Sequence, residues 1–225
     1  MTKVLVVSPH PDDAEIGMGA TMSLMSDRGW VVDVAVCTGP GDLTMLHSGE
    51  TVPFDKRIDE QKAAAAVLGV KVTFLNLARA SRFDQTAMVD FVSAFDNLFL
   101  KYDRVYLPLP SYMADHVRVW EAGLAAARPG RMEHVGLYAY EQPLGWRMGT
   151  PPPWFGRVYQ PLPKEALEKK KKALACHVSQ FEKRPDSPAG PAGVEPWAAM
   201  RGMDCGVPAA ELTYLIRKKA GDDSF

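Results

Sequence analysis

Near its start the chain runs from Val4-Leu5-Val6-Val7 directly into Ser8-Pro9-His10-Pro11-Asp12-Asp13-Ala14-Glu15-Ile16-Gly17. Four consecutive apolar residues suit a strand buried on both faces. Helical spacing follows at once (Ile16, Ala20, Leu24), and Gly29 is placed to end the helix. A buried strand that passes through a short loop into a helix belongs to an α/β sheet. In open sheets of that kind, ligands bind outside the carboxyl ends of the strands. Here that position holds a histidine and two adjacent carboxylates.

The same alternation continues. The pattern predicts strands at 3–8, 31–37, 71–75, 103–108 and 134–140, and helices at about 14–28, 57–68, 85–100 and 116–127. This order argues for an α/β, Rossmann-like, mostly parallel sheet with helices on both faces. Residues 39–56 read as an irregular loop of functional length. After Tyr140 the prolines at 143, 151–153, 161 and 163 read as breaking regular structure. A charged helix is expected over 164–177, its Lys169–Lys172 run forming a solvated face. Residues 185–196 read as a loop, and 211–219 as a segment that packs back on the domain.

The 225 residues are enough for one domain spanning 1–225. A formal net charge of -1 argues against nucleic acid as a partner. No apolar stretch approaches the roughly 20 residues of a membrane span, and no signal peptide is apparent. Cys37, Cys176 and Cys205 are odd in number and widely spaced, which fits inert thiols in a reducing cytoplasm. The glycines at 17 and 19 lack the spacing of a dinucleotide-binding loop, which weighs against a nucleotide-binding oxidoreductase.

A second strand-to-helix junction carries Asp115-His116. A doubly wound sheet could bring it beside His10. The set His10, Asp13 and His116 then offers two nitrogens and one oxygen, a catalytic zinc set with an open position, and leaves Asp12 as general base. Both stretches also read as a turn followed by an N-cap, which needs no metal. Two adjacent carboxylates, however, repel unless a cation or proton lies near.

The motif Pro9-His10-Pro11-Asp12-Asp13-Ala14-Glu15-Ile16-Gly17 resembles the signature of the LmbE-like (PIG-L) N-acetylglucosaminyl deacetylases. Further matches follow in order: Gly19 and Thr21; Thr38-Gly39; Arg57 and Glu60; Asp115-His116; Lys172, Leu174, His177, Ser179 and Gln180; then Arg201-Gly202, Gly206 and Glu211. The resemblance implies Zn2+, or another divalent transition metal, on His10, Asp13 and His116, with Asp12 as base. It implies substrate contact by Arg57, whose plain alternative is a surface pair with Asp59 or Glu60. It also implies an amino-sugar conjugate as substrate and acetate as one product, and does not decide whether the chain is a homo-oligomer.

One position departs from that family. Many members carry a histidine three residues before the second metal histidine, and here that residue is Met113. Methionine donates no proton. Met113 is expected to line the substrate pocket, Asp115 to lose its usual partner and to stand with the substrate-contacting residues, and His177 to supply the missing donor. A non-catalytic or altered-specificity sugar- or metal-binding protein and an amidase acting on a thiol conjugate remain the alternatives.

Overall fold

The computed structural model describes residues 1–44, 49–143 and 155–219. In chain order its elements are β1 (Lys3–Ser8), α1 (Asp13–Asp27), β2 (Val31–Gly39), β3 (Leu43–Thr44), β4 (Thr51–Val52), α2 (Phe54–Leu68), β5 (Lys71–Arg79), α3 (Met88–Phe99), β6 (Arg104–Pro108), α4 (Ala114–Ala126), β7 (Gly136–Tyr140), β8 (Gly156–Pro161), α5 (Lys164–Ala175), α6 (Val178–Phe181), α7 (Val194–Cys205) and β9 (Ala210–Arg217). One sheet runs in the order β5-β2-β1-β6-β7-β9-β8. Its first five strands are parallel, whereas β9 is antiparallel to both β7 and β8. The mostly parallel sheet expected from the alternation is present.

Side chains alternate across a strand, so β1 serves two cores at once. Val4 and Val6 pack with Met18, Met22, Ala64, Leu68 and Ala173, on the side of α1, α2 and α5. Leu5 and Val7 pack with Phe91, Phe95, Phe99, Val119 and Ala122, on the side of α3 and α4. Hence α1, which follows β1, and α4, which follows β6, cover opposite faces of neighbouring strands. That arrangement opens a crevice between the carboxyl ends of β1 and β6, the switch point where such sheets bind ligands.

Helix α1 is broken inside, at Met18 (φ -146°, ψ 29°). A break frees backbone groups that must find partners when buried. Lys170 Nζ donates to the Ile16 carbonyl at 2.8 Å and to Glu211 Oε1 at 2.6 Å. The Glu211 carboxylate accepts from the amides of Ala20 (3.2 Å) and Thr21 (2.7 Å), capping the resumed helix. The Lys170 and Glu211 side chains are only 5% and 2% exposed. One buried ion pair thus seals both sides of the break. At Gly17, a Cβ would run into the Tyr140 ring, so the first turn lies close against β7.

The structure departs from several sequence expectations. The lysine run is not wholly solvated: Lys169 and Lys171 make surface pairs with Asp27 and Glu195, but Lys170 points inward to the α1 break. The charged helix ends at Ala175, and His177 stands at the N-cap position of the short α6 instead, with no hydrogen bond from its side chain to that helix. Part of the expected loop at 185–196 is helical, because α7 begins at Val194. Within the proline-rich stretch, β8 forms as a sheet edge with Pro161 as its last residue, where a missing N–H is tolerated. The segment expected to pack back forms β9, inside the sheet. Residues 39–56 hold the small β3–β4 hairpin, and α2 begins earlier than expected, at Phe54, whose ring packs on Phe74. Residues 45–48 of that loop, and Pro151 to Pro153, lie outside the described residues.

Candidate metal centre

The loop from β1 to α1 is held in one shape by its own short side chains. Ser8 Oγ donates to the His10 carbonyl (2.7 Å) and accepts from the Ala14 amide (3.2 Å). Thr38, at the end of β2, binds the Pro9 carbonyl through its amide and its hydroxyl. Asp12 sits in left-handed backbone at φ 101° and ψ -27°. Such a conformation costs a non-glycine residue about 1–3 kcal/mol, and residues of this kind cluster at functional sites. The amide of Asp12 donates to Gln61 Oε1, and Gln61 Nε2 donates to Glu15 Oε1 at 2.6 Å.

Across the crevice, the loop after β6 delivers His116 in the first turn of α4. His10 Nδ1, Asp13 Oδ2 and His116 Nε2 converge: the cluster offers one ligand atom from each residue, all within 4.8 Å of one another. His10 Nδ1 lies 3.1 Å from Asp13 Oδ2, and His116 Nε2 lies 3.3 Å from the same oxygen. His116 is buried, yet its Nε2 makes no hydrogen bond among the described residues. A buried imidazole nitrogen left in that state, facing a carboxylate and a second histidine, suits a divalent metal. The donor set fits Zn2+, which takes nitrogen and carboxylate ligands together.

Charge follows the same geometry. Burial opposes a charge on His10, but Asp115 and Asp13 outweigh it and hold the proton up to about 10. Burial also works against the Asp13 anion, yet His116 and His10 together keep it well below the usual carboxylate range. Asp12 differs. Its burial outweighs the Arg57 guanidinium, 3.6 Å from Oδ2, and raises it to about 6. Glu15 is raised to about 7 by burial, and its Oε2 has no hydrogen-bond partner among the described residues.

The remaining candidates fall around this cluster. Arg57 is buried, so it is no surface pair: it donates to the Pro11 carbonyl (2.6 Å) and to Ser179 Oγ (3.3 Å). Glu60 accepts from the amide and hydroxyl of Ser179, fastening α6 to α2. His177, two residues earlier, is fully buried with both ring nitrogens unpartnered among the described residues. Burial first, and Arg57 second, lower it to about 3, so the ring is neutral. Met113, expected inside the pocket, is 54% exposed at the N-cap of α4. Asp115 accepts from His10 Nε2 at 2.9 Å. Beside His10 and Arg57 a cleft opens, bordered also by Pro11, Thr38, Leu43 and Phe54.

Sequence reasoning missed Ser111, Gln142, Gln61 and Glu15. Gln142 Nε2 donates to Asp13 Oδ1 at 2.6 Å, and Ser111 Oγ lies 2.9 Å from His116 Nδ1. Ser111 sits five residues before His116 and gave a local signal. Gln142 follows a strand 129 residues from Asp13 and gave none.

A family model described as GlcNAc-PI de-N-acetylase, PIG-L, matches residues 5–127. An uncharacterized deacetylase, YaiS, of Escherichia coli is 25% identical over 185 residues, covering 78% of this chain and 90% of that protein. Diacetylchitobiose deacetylase of Thermococcus kodakarensis is 36% identical over 75 residues, 31% of this chain and 26% of that protein. Among solved structures, the A40926 pseudoaglycone deacetylase Dbv21 superposes with a TM-score of 0.76 at 20% identity, covering 97% of this chain and 99% of that one. At that identity the likeness shows the shared fold.

Proposed function

The chain belongs to the PIG-L family, and from that premise we propose that it is a zinc-dependent hydrolase. In this reading it removes the N-acetyl group from an N-acetylglucosamine-type amino-sugar conjugate, with residues 1–225 as one catalytic domain. The observation that carries it is the convergence of His10, Asp13 and His116 at the switch point, with the strained Asp12 beside them. Deacetylases among its relatives, one of them acting on diacetylchitobiose, support the substrate class.

Zinc held by His10, Asp13 and His116 would supply Lewis acidity at the amide carbonyl and acidify water beside it. Asp12 takes the proton from the attacking water. Its carboxyl, raised to about 6, is still ionised at neutral pH and basic enough to accept. Arg57 holds the Pro11 carbonyl and faces Asp12, fixing where that carboxylate points. The protonated Asp12 then passes its proton to the departing nitrogen, and acetate and a free amine leave. Neutral His177 offers one N–H and is the candidate donor to the developing oxyanion in place of a residue at 113. Among the described residues no helix is long and apolar enough to cross a membrane. The three free cysteines fit a reducing, cytoplasmic setting.

The test is a screen of N-acetylglucosamine conjugates for primary-amine release by zinc-loaded protein. Release from at least one conjugate is expected. Tight binding of zinc and sugar with no release from any of them would favour a non-catalytic member of the fold.

A further inference from the structure

The three residues assigned to the metal come from two strand-to-helix junctions, and each is gripped from behind by a different side chain. His116 has Ser111 at its Nδ1, and Asp13 has Gln142 at its Oδ1. His10 has Asp115 at its Nε2. In each case the partner occupies the atom turned away from the convergence point, and the other atom faces it, with His10 Nδ1 and Asp13 Oδ2 meeting there at 3.1 Å. Building on the metal reading above, we infer that Asp115 is a positioning residue for His10, fixing its ring rotation and keeping the proton on Nε2 so that Nδ1 is free to ligate.

The surroundings of His10 leave this task to Asp115. Two rings lie against it: that of His116, itself assigned to the metal, at 5.6 Å between centroids, and Phe83, which packs edge-on at 5.2 Å with an interplanar angle of 64°. An apolar contact of that kind limits tilt but does not distinguish the imidazole from its 180° flip. Asp13 Oδ2 meets Nδ1 but is itself assigned to the metal, so it cannot anchor the ring independently. Asp115 is the partner whose hydrogen bond a flip would break, because a flip puts a carbon where Nε2 stood. A carboxylate behind a ligating histidine also makes its free nitrogen a stronger donor.

Position 113 explains why Asp115 is available. The Met113 side chain has no N–H or O–H to offer a carboxylate, and the residue is exposed. Asp115 is therefore free to reach across the switch point. The first turn of α4 then supplies both one ligand, His116, and the brace of the other, His10. One 2.9 Å hydrogen bond thereby spans the crevice between β1 and β6 beside the metal cluster.

The test uses the full chain as wild type, Asp115→Ala and Asp115→Asn. Zinc affinity is measured by competition with a chromophoric chelator, and the ring tautomers of the zinc-loaded proteins are read from long-range proton–nitrogen NMR spectra. Asp115→Ala is expected to weaken zinc roughly 10- to 100-fold and to remove the single Nε2–H signature of His10. Asp115→Asn, which keeps an acceptor oxygen, should restore the tautomer and much of the affinity. Wild-type zinc affinity and an unchanged Nε2–H signature in Asp115→Ala would overturn the inference, as would equal loss in both variants. Failure of the wild type itself to take up zinc would be distinct from these outcomes and would overturn the metal reading.

Discussion

Lys170→Met is the sharpest test of how the fold supports the site. The substitution keeps an unbranched apolar stem of similar length and removes only the ammonium. Two interactions vanish: the 2.6 Å pair with Glu211 and the 2.8 Å hydrogen bond to the Ile16 carbonyl. Removing one partner of a buried pair typically costs about 3–5 kcal/mol. The low end applies, because Glu211 keeps the amides of Ala20 and Thr21 at a helix start, where an anion is favoured. A loss of about 3 kcal/mol is therefore expected. For a chain of this size that lowers Tm by about 6–12 °C. Lys169→Met is the matched control. Its pair with Asp27 is exposed, and such pairs are worth about 0–1 kcal/mol. Urea unfolding of chelator-treated protein, followed by circular dichroism, measures both. A cost below about 1 kcal/mol for Lys170→Met, or equal costs for the two variants, would refute the claim that this pair seals the α1 break.

Asp12→Asn should lower turnover about 100- to 10,000-fold with zinc content near wild type, whereas Asp13→Ala should lose metal; equal metal loss in both would refute the division of roles. His177, lowered to about 3, ties stability to pH. Below the unfolded value of about 6.5 the unfolded chain binds a proton that the folded chain excludes, so stability falls as pH drops from there towards the folded value. Between about pH 7 and pH 5 the wild type should lose about 2 kcal/mol more than His177→Leu, as read from urea midpoints; parallel losses would contradict a buried neutral ring. His177→Ala should lower kcat about a hundredfold at unchanged metal content, and full activity would remove it from the mechanism. Met113→His should raise kcat, and a lower rate would show that a donor at that rim is not what the site lacks.

The parallel half of the fold was legible because its signals are local. Apolar runs, helical spacing and glycine stops mark β1, β2, β5, β6 and β7 within short windows. The convergence of His10, Asp13 and His116 was legible for the same reason, since each of the three sits where a strand pattern turns into a helix pattern. What escaped notice depends on distance along the chain. Strand β8 reads as proline-broken until β9 pairs with it, and α7 opens in a stretch rich in proline and glycine. Lys170 looks like its solvated neighbours until the α1 break gives it a carbonyl and Glu211 gives it an anion. Arg57 and Glu60 look like a surface pair on a helix; only the fold shows them holding Pro11 and Ser179. Gln142 is one amide after a strand, and nothing local marks it as the partner of Asp13.

Everything proposed for this site turns on whether it hydrolyses an amide with a metal on His10, Asp13 and His116. The most direct measurement is acetate release from an N-acetylglucosamine conjugate by one preparation assayed in three states: as zinc-loaded protein, after chelation, and after zinc is returned. Turnover is expected in the first state, none above background in the second, and recovery in the third. Acetate release that chelation leaves untouched, in protein shown to have lost its metal, would contradict the proposal.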